Sequence, residues 1–304
     1  MNRSKMITAT ALATVMTAGA AQAEMSIGGL YFGAIVDSVG AATSHAESTN
    51  SIYVSYSDSL DNGMGVSVAV SMSAGGANKT DVNIDTGFGT LGLGDGQDSA
   101  VDSMDGSAAI IASNYYGPRF TSATATTGFN DGDAASGNSV AYTSPSINGF
   151  TVKATRGFDD GTHNATNSIA ASGSIMGVSV AAGVSSINRK NTPLDPAYVA
   201  DQDPSFVSVG YSIAGISLGY ASYDYDDSTN NGEETQMGVG TTMMGMSVGA
   251  TFGEEDTSGT DTDYTLFSVS KGMGAATFGL DYLETDPSNA ASTDTIVFSY
   301  SVGF

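Results

Sequence analysis

Residues 292–304 read STDTIVFSYSVGF. Every second residue, Ile296, Phe298, Tyr300, Val302 and Phe304, is apolar or aromatic. Between them, Thr295, Ser299, Ser301 and Gly303 are small or polar, with Val297 the exception. Successive side chains of a strand point to opposite faces. The stretch therefore predicts a strand with one greasy face and one mostly polar face, ending on Phe304 without a tail. A sandwich would press one face of such a strand into a dry core. Hydrocarbon outside and water inside suits it better, as in the wall of a membrane-spanning β-barrel.

The alternation recurs along the chain. It predicts strands at 26–37, 50–60, 64–74, 80–86, 89–94, 138–144, 149–157 and 166–175. Further ones fall at 177–187, 204–213, 216–224, 235–243, 246–253, 262–270 and 275–283. Segment 64–74 is the cleanest, with Val66, Val68 and Val70 set against Ser67, Ala69 and Ser71. Segment 26–37 leaves its orientation open: Ile27, Tyr31 and Ile35 share one face, but Leu30, Phe32 and Val36 occupy the other. Short Gly-bearing connections such as Met176-Gly177, Ala214-Gly215 and Met244-Gly245 alternate with longer polar, acidic ones. Short turns on one side and long loops on the other are expected of an outer-membrane barrel, with the loops outside the cell. The fold expected is all-β: a closed antiparallel transmembrane β-barrel of about sixteen strands, whose wall cannot fill its own bore.

Residues 1–23 read as an export signal. Arg3 and Lys5 precede the modestly apolar Met6–Ala20, and Ala21-Gln22-Ala23 offers a cleavage site that makes Glu24 the first mature residue. The expected organisation is a removed segment, 1–23, and one barrel domain, 24–304. No later stretch has the roughly 20 apolar residues of a membrane helix.

Composition excludes several chemistries. There is no Cys, hence no disulfide, thiolate metal site or Cys nucleophile. Nine basic against 32 acidic residues, a net charge of −23, argue against nucleic acid as a partner. The acidity fits either solvated loops or a mouth that attracts cations. Only His45 and His163 could serve a catalytic triad, and both fall in predicted outer loops; no G-x-S-x-G elbow has a suitable context. An enzyme is not expected. The acidic stretches Asp201–Asp203, Asp224–Asp227 and Glu254–Asp256 lack EF-hand spacing. Weak Ca²⁺ binding at a loop is the most they suggest, and no cofactor is expected.

About forty residues, 95–137, carry no convincing strand pattern. They contain Asp95, Asp98, Asp102 and Asp105, the apolar run Ala108–Ala112, then Tyr115, Tyr116 and Arg119. A loop this long is usually functional or disordered. Folded inward, with the apolar run pinned to the wall, it would narrow the bore; left outside, it is a solvated loop. Lys153 lies on the polar face of its strand and Arg156 near that strand's end.

Two stretches carry a family resemblance. Residues 138–152, NSVAYTSPSINGFTV, resemble the strand–turn–strand signature of Gram-negative general porins through Asn138, Ser139, Val140, Tyr142, Ser144, Pro145, Gly149, Phe150 and Val152. Residues 87–99, GFGTLGLGDGQDS, are similar to the segment leading into that family's constriction loop, through Gly87, Gly89, Thr90, Gly94 and, one place late, Gln97. The resemblance implies a trimeric, sixteen-stranded outer-membrane channel for passive diffusion of ions and small hydrophilic solutes, with the third long loop as its eyelet. It implies Asp95, Asp98, Asp102, Asp105, Arg119, Lys153 and Arg156 at the constriction. It also implies outer-membrane lipid and the barrel-assembly machinery as partners, the latter reading Phe298, Tyr300, Val302 and Phe304. The chain departs from the pattern where the family usually has Arg after the position of Gly94: here stand Asp95 and Gly96. The expectation is a cation-preferring pore. The alternatives are a channel specific for one nutrient and a non-conducting barrel acting as adhesin or structural protein.

Overall fold

The computed structural model describes residues 24–73, 78–95, 97–104, 113, 115–116, 138–158, 165–188, 203–225, 232–257 and 260–304. Sixteen strands run in chain order: β1 (Glu24–Ser38), β2 (Ser44–Ser59), β3 (Gly65–Ser73), β4 (Asn78–Asp85), β5 (Thr90–Gly94), β6 (Ser139–Thr143), β7 (Phe150–Gly157) and β8 (Ala165–Ile175). They continue as β9 (Val178–Asn188), β10 (Ser205–Ile213), β11 (Ile216–Tyr225), β12 (Gly232–Met243), β13 (Met246–Thr257), β14 (Thr260–Met273), β15 (Ala276–Pro287) and β16 (Thr293–Gly303). Each pairs antiparallel with its sequence neighbours, and β16 returns to β1 to close the barrel. The putty-like alternation of sequence thus becomes a wall without a free edge.

Alternation sets the two faces. On β16, Ile296, Phe298 and Val302 point outward and are exposed, while Val297 and Ser299 point into the barrel and are fully buried. The open question on β1 resolves the same way. Ile35 pairs with Phe298 and Tyr31 with Val302 on the outer face, so Leu30, Phe32 and Val36 line the interior. Phe32 stacks on Tyr115 at 6.2 Å between centroids. The inner face of β1 is apolar because a segment of the long β5–β6 connection packs against it.

The seam is made by the last residue. The Gly29 amide donates to the Phe304 carbonyl at 2.8 Å, and the Phe304 amide donates to Gly29 at 3.1 Å. The Phe304 ring covers Gly29 so closely that an added Cβ would lie 2.3 Å from it. Close approach favours glycine there, since any side chain must displace the ring.

On the short side, Asn148-Gly149, Met176-Gly177, Ala214-Gly215 and Met244-Gly245 all hold positive φ at both positions. Those are the two-residue turns whose twist matches paired strands.

The long side differs from expectation. Strand length varies widely: β5 and β6 have 5 residues, whereas β14 has 14. The acidic stretch Glu254–Asp256 lies on β13 rather than in a loop, and Asp224 lies on β11. His45, expected in a loop, lies on β2, where its Nε2 is 3.0 Å from the Tyr300 hydroxyl. His163 is outside the described residues. Strand pairing continues outward through the acidic residues as far as the Thr257–Thr260 pair. Carboxylates consequently oppose one another directly: Asp224 with Glu233, Glu233 with Asp256, Glu254 with Asp263, Asp256 with Asp261, Asp263 with Asp286, and Glu284 with Asp294. These pairs lie on the outward face, past the apolar band, where water solvates charge and backbone pairing outweighs the repulsion; Glu234 opposite Glu255 faces inward.

Two buried clusters lie inside the barrel. Ala100, Val101 and Met104 from the β5–β6 connection pack with Ala170, Ala181, Phe206, Ala221 and Tyr223 of β8–β11. Tyr116 from the same connection packs with Ala34, Leu266, Leu283 and Val297 of β1 and β14–β16. The small, polar inner face read from sequence therefore changes character on these strands, where it receives the connection.

Candidate functional site

The β5–β6 connection leaves the wall at Gly94, whose φ is 138°. An added Cβ there would collide with the Thr80 carbonyl, 1.9 Å away. The Asp95 amide donates to that carbonyl at 3.2 Å, and the Thr80 amide donates back to the Asp95 carboxylate. Asp95 thus acts as a clamp at the root of the loop.

From there the chain turns into the lumen. The Gln97 amide nitrogen donates to Asp81 at 3.0 Å and to Asn83 at 3.2 Å. The Ala100 amide donates to the Ser168 hydroxyl at 2.7 Å, and the Thr155 hydroxyl donates to the Asp98 carbonyl at 3.2 Å. Ser99 ties the local turn by accepting from the Asp102 amide and the Ser103 hydroxyl. These bonds fix residues 97–104 against β4, β7 and β8, with Val101 and Met104 inserted into the apolar patch beyond. At a second station, Ser113 accepts from the amides of Tyr115 and Tyr116. The two rings meet edge to face at 5.0 Å. Burial pushes both phenols above their ordinary value, so they stay neutral.

The sequence-expected site residues separate into groups. Asp98, Asp102 and Lys153 come together. Lys153 projects inward from β7, its ammonium donates to the Ser103 hydroxyl, and Asp98, Asp102 and Asp81 all attract its charge. Asp95 serves the loop root. Asp105, Arg119 and the run Ala108–Ala112 lie outside the described residues. Arg156 is a correction. It stands three residues from Lys153 on the same strand and so faces the other way. It pairs with Val140 on β6 and donates to Asn167 of β8 at 2.8 Å. Its guanidinium lies 5.7 Å from the Phe158 ring centroid. It belongs to the outer surface and not to the bore.

Sequence reasoning missed Asp81. The signal was its spacing: Lys79, Asp81 and Asn83 alternate with Thr80 and Val82, and register places them inward opposite Ser71, Ala69 and Ser67.

The bore is unequal around its circumference. On β2 and β3 the inner side chains Tyr53, Ser55, Ser67, Ala69 and Ser71 are exposed or half-buried; Tyr53 is 42% exposed. On β11–β16 the inner side chains Tyr223, Glu234, Leu266, Asp281 and Ser299 are all completely buried. The described inner side chains are thus more accessible on β2 and β3 than on β11–β16. Among the described residues no group of acidic and His side chains could hold a metal.

The sequence matches the Gram-negative porin profile over residues 8–304. The chain belongs to the Gram-negative porin family. It is an outer-membrane channel by family and fold, which point away from an enzyme. Solved structures share the architecture at low identity. In-vitro folded OmpT, an outer membrane protein of Vibrio cholerae in trimer form, superposes with a TM-score of 0.71 at 14% identity, covering 93% of this chain and 100% of that one. The anion-selective porin from Comamonas acidovorans gives 0.70 at 12%, covering 93% and 100%. A mutant of the Rh. blastica porin gives 0.65 at 18%, covering 92% and 100%. No curated protein matches the sequence significantly.

Proposed function

We propose that this porin passes ions and small hydrophilic solutes by passive diffusion along the β2–β4 side of its bore, with a preference for cations. The observation that carries the preference is an excess of carboxylates: Asp81, Asp98 and Asp102 act on Lys153, and the nearest further cation on the inward row is Lys79 beside Asp81. Low-dielectric walls concentrate the field of such a group, and rings of one sign select ions at close quarters. The Comamonas porin is described as anion-selective, so the fold leaves the sign of selectivity to the lining. The test is the reversal potential of the purified protein in a planar bilayer under a salt gradient. A potential of the sign that marks cation permeation is expected; anion preference at moderate ionic strength overturns the reading.

Burial of the β11–β16 inner wall favours a second reading, a narrow channel specific for one solute. Saturable, competable flux in liposomes distinguishes it from open diffusion. The trimer form of the OmpT structure supports homotrimeric assembly. Residues 1–23 are proposed as the export signal, and Phe298, Tyr300, Val302 and Phe304 as the residues read during barrel assembly.

A further inference from the structure

The short turns of the barrel carry side chains that their position in water does not explain. Leu60, Phe88, Ile147, Met176, Met244 and Met273 stand at or beside these turns and are all exposed, Met176 at 95%, Met244 at 86% and Phe88 at 83%. Met176 and Met244 hold left-handed backbone, with φ of 52° and 55°. Asn adopts that conformation more readily than Met, and Asn148 occupies the equivalent position in the β6–β7 turn. Two turns thus carry a residue ill suited to their backbone whose side chain packs on almost nothing in the chain.

The outward apolar band is also short. On β13 it runs from Met246 to Phe252, with Glu254 following on the same face; on β12 it runs from Met243 to Met237, ahead of Glu233. Each run covers about 20 Å along the strand. At a strand tilt of roughly 40° that is about 15 Å of height, against about 25 Å for the apolar band of an outer-membrane barrel. Carboxylates close the band at its outer end, so the missing height must be found at the turns. Lys271 fits this placement. It lies on the outward face of β14 one pleat above Met273, where its stem can carry the ammonium to headgroup phosphates.

We infer that the short turns are a lipid-contact surface: Met176, Met244 and their counterparts insert into the headgroup–acyl boundary of the inner leaflet and extend the apolar band to its full height. The partner is the phospholipid surface itself, continuous with the lipid already facing Ile175 and Met243. The inference rests on the outer-membrane barrel reading.

The absence of Cys makes the test direct. Single-cysteine variants M176C, M244C, V239C and D263C, labelled with an environment-sensitive fluorophore, are refolded into phospholipid vesicles, with folding checked by circular dichroism. Quenching is measured with lipids bearing a nitroxide near the headgroup end of the acyl chain and with iodide on both sides of the membrane. Labels at 176 and 244 are expected to be quenched by the nitroxide lipid, and several-fold less by iodide than the label at 263. Iodide quenching at 176 and 244 equal to that at 263, with 239 still quenched by lipid, overturns the inference and leaves the barrel reading intact. Loss of lipid quenching at 239 as well overturns both.

Discussion

The walls formed by β2–β4 and by β11–β16 share one alternation but carry different inner faces. On β2–β4 the inner positions are hydroxyls, Ala and the Lys79–Asp81–Asn83 row; they are partly accessible, and Asp81 and Asn83 hold Gln97. On β14–β16 they include Leu266, Leu283 and Val297, and they are buried. Along the apolar band, a barrel strand's outer face keeps one character from strand to strand. Its inner face answers to whatever lies against it, water on one side and the third loop's Tyr116 on the other.

The largest effect should come from releasing the loop. Truncating a buried aromatic ring commonly costs about 3–5 kcal/mol. In Y115A/Y116A that loss falls on loop docking, since the strands keep their ladder. Single-channel conductance should rise and become noisier while circular dichroism holds; unchanged conductance would mean the two walls do not differ in what covers them. A change at the seam serves as contrast. In G29V the new side chain meets the Phe304 ring, an overpacking worth about 1–3 kcal/mol. Refolding yield should fall, with selectivity unaltered in the molecules that do close.

Charge changes separate the walls more finely. Replacing Asp98 and Asp102 with Asn should lower the cation-to-anion permeability ratio about two- to three-fold, a screened fraction of the full Coulomb energy. K153Q should raise it. E234Q, on the buried wall, should leave it unaltered; a comparable shift there would place the ion path on the wrong side. The smallest effect concerns the outer rim. Directly opposed like charges cost a few tenths of a kcal/mol per pair. Salt screens them, so the midpoint of denaturant unfolding should climb modestly with ionic strength, and more for this chain than for a variant with Glu233 and Asp263 changed to Asn.

Most of the wall was legible in the sequence because parity is a local property. Each of the sixteen predicted segments overlaps one strand, and the motif at 138–152 covers β6, the turn and the first three residues of β7. The same parity shows why Arg156 cannot join Lys153: an odd spacing reverses the face. What lay beyond reach was set by long-range contact. Nothing near Phe32 announces that Tyr115 will stack on it, so the direction of β1 stayed open. The acidic runs looked like loops because carboxylates are poor strand formers in isolation. Here neighbouring strands extend the ladder through them, up to the pairing of Thr257 with Thr260. At the site, Asp98, Asp102 and Lys153 could be named individually, but Asp81 acquires its role only when Gln97 folds back to it.

The pairing of Gly29 with Phe304 carries a consequence for incomplete molecules. Without β16, the barrel becomes a trough with two unsatisfied margins, β1 and β15, each offering a row of amides and carbonyls. Such margins recruit strands from any chain within reach. A polypeptide ending before Thr293 should therefore accumulate as clumped multimers and not as a leaky pore. The final eleven-residue strand is what makes a single molecule self-sufficient.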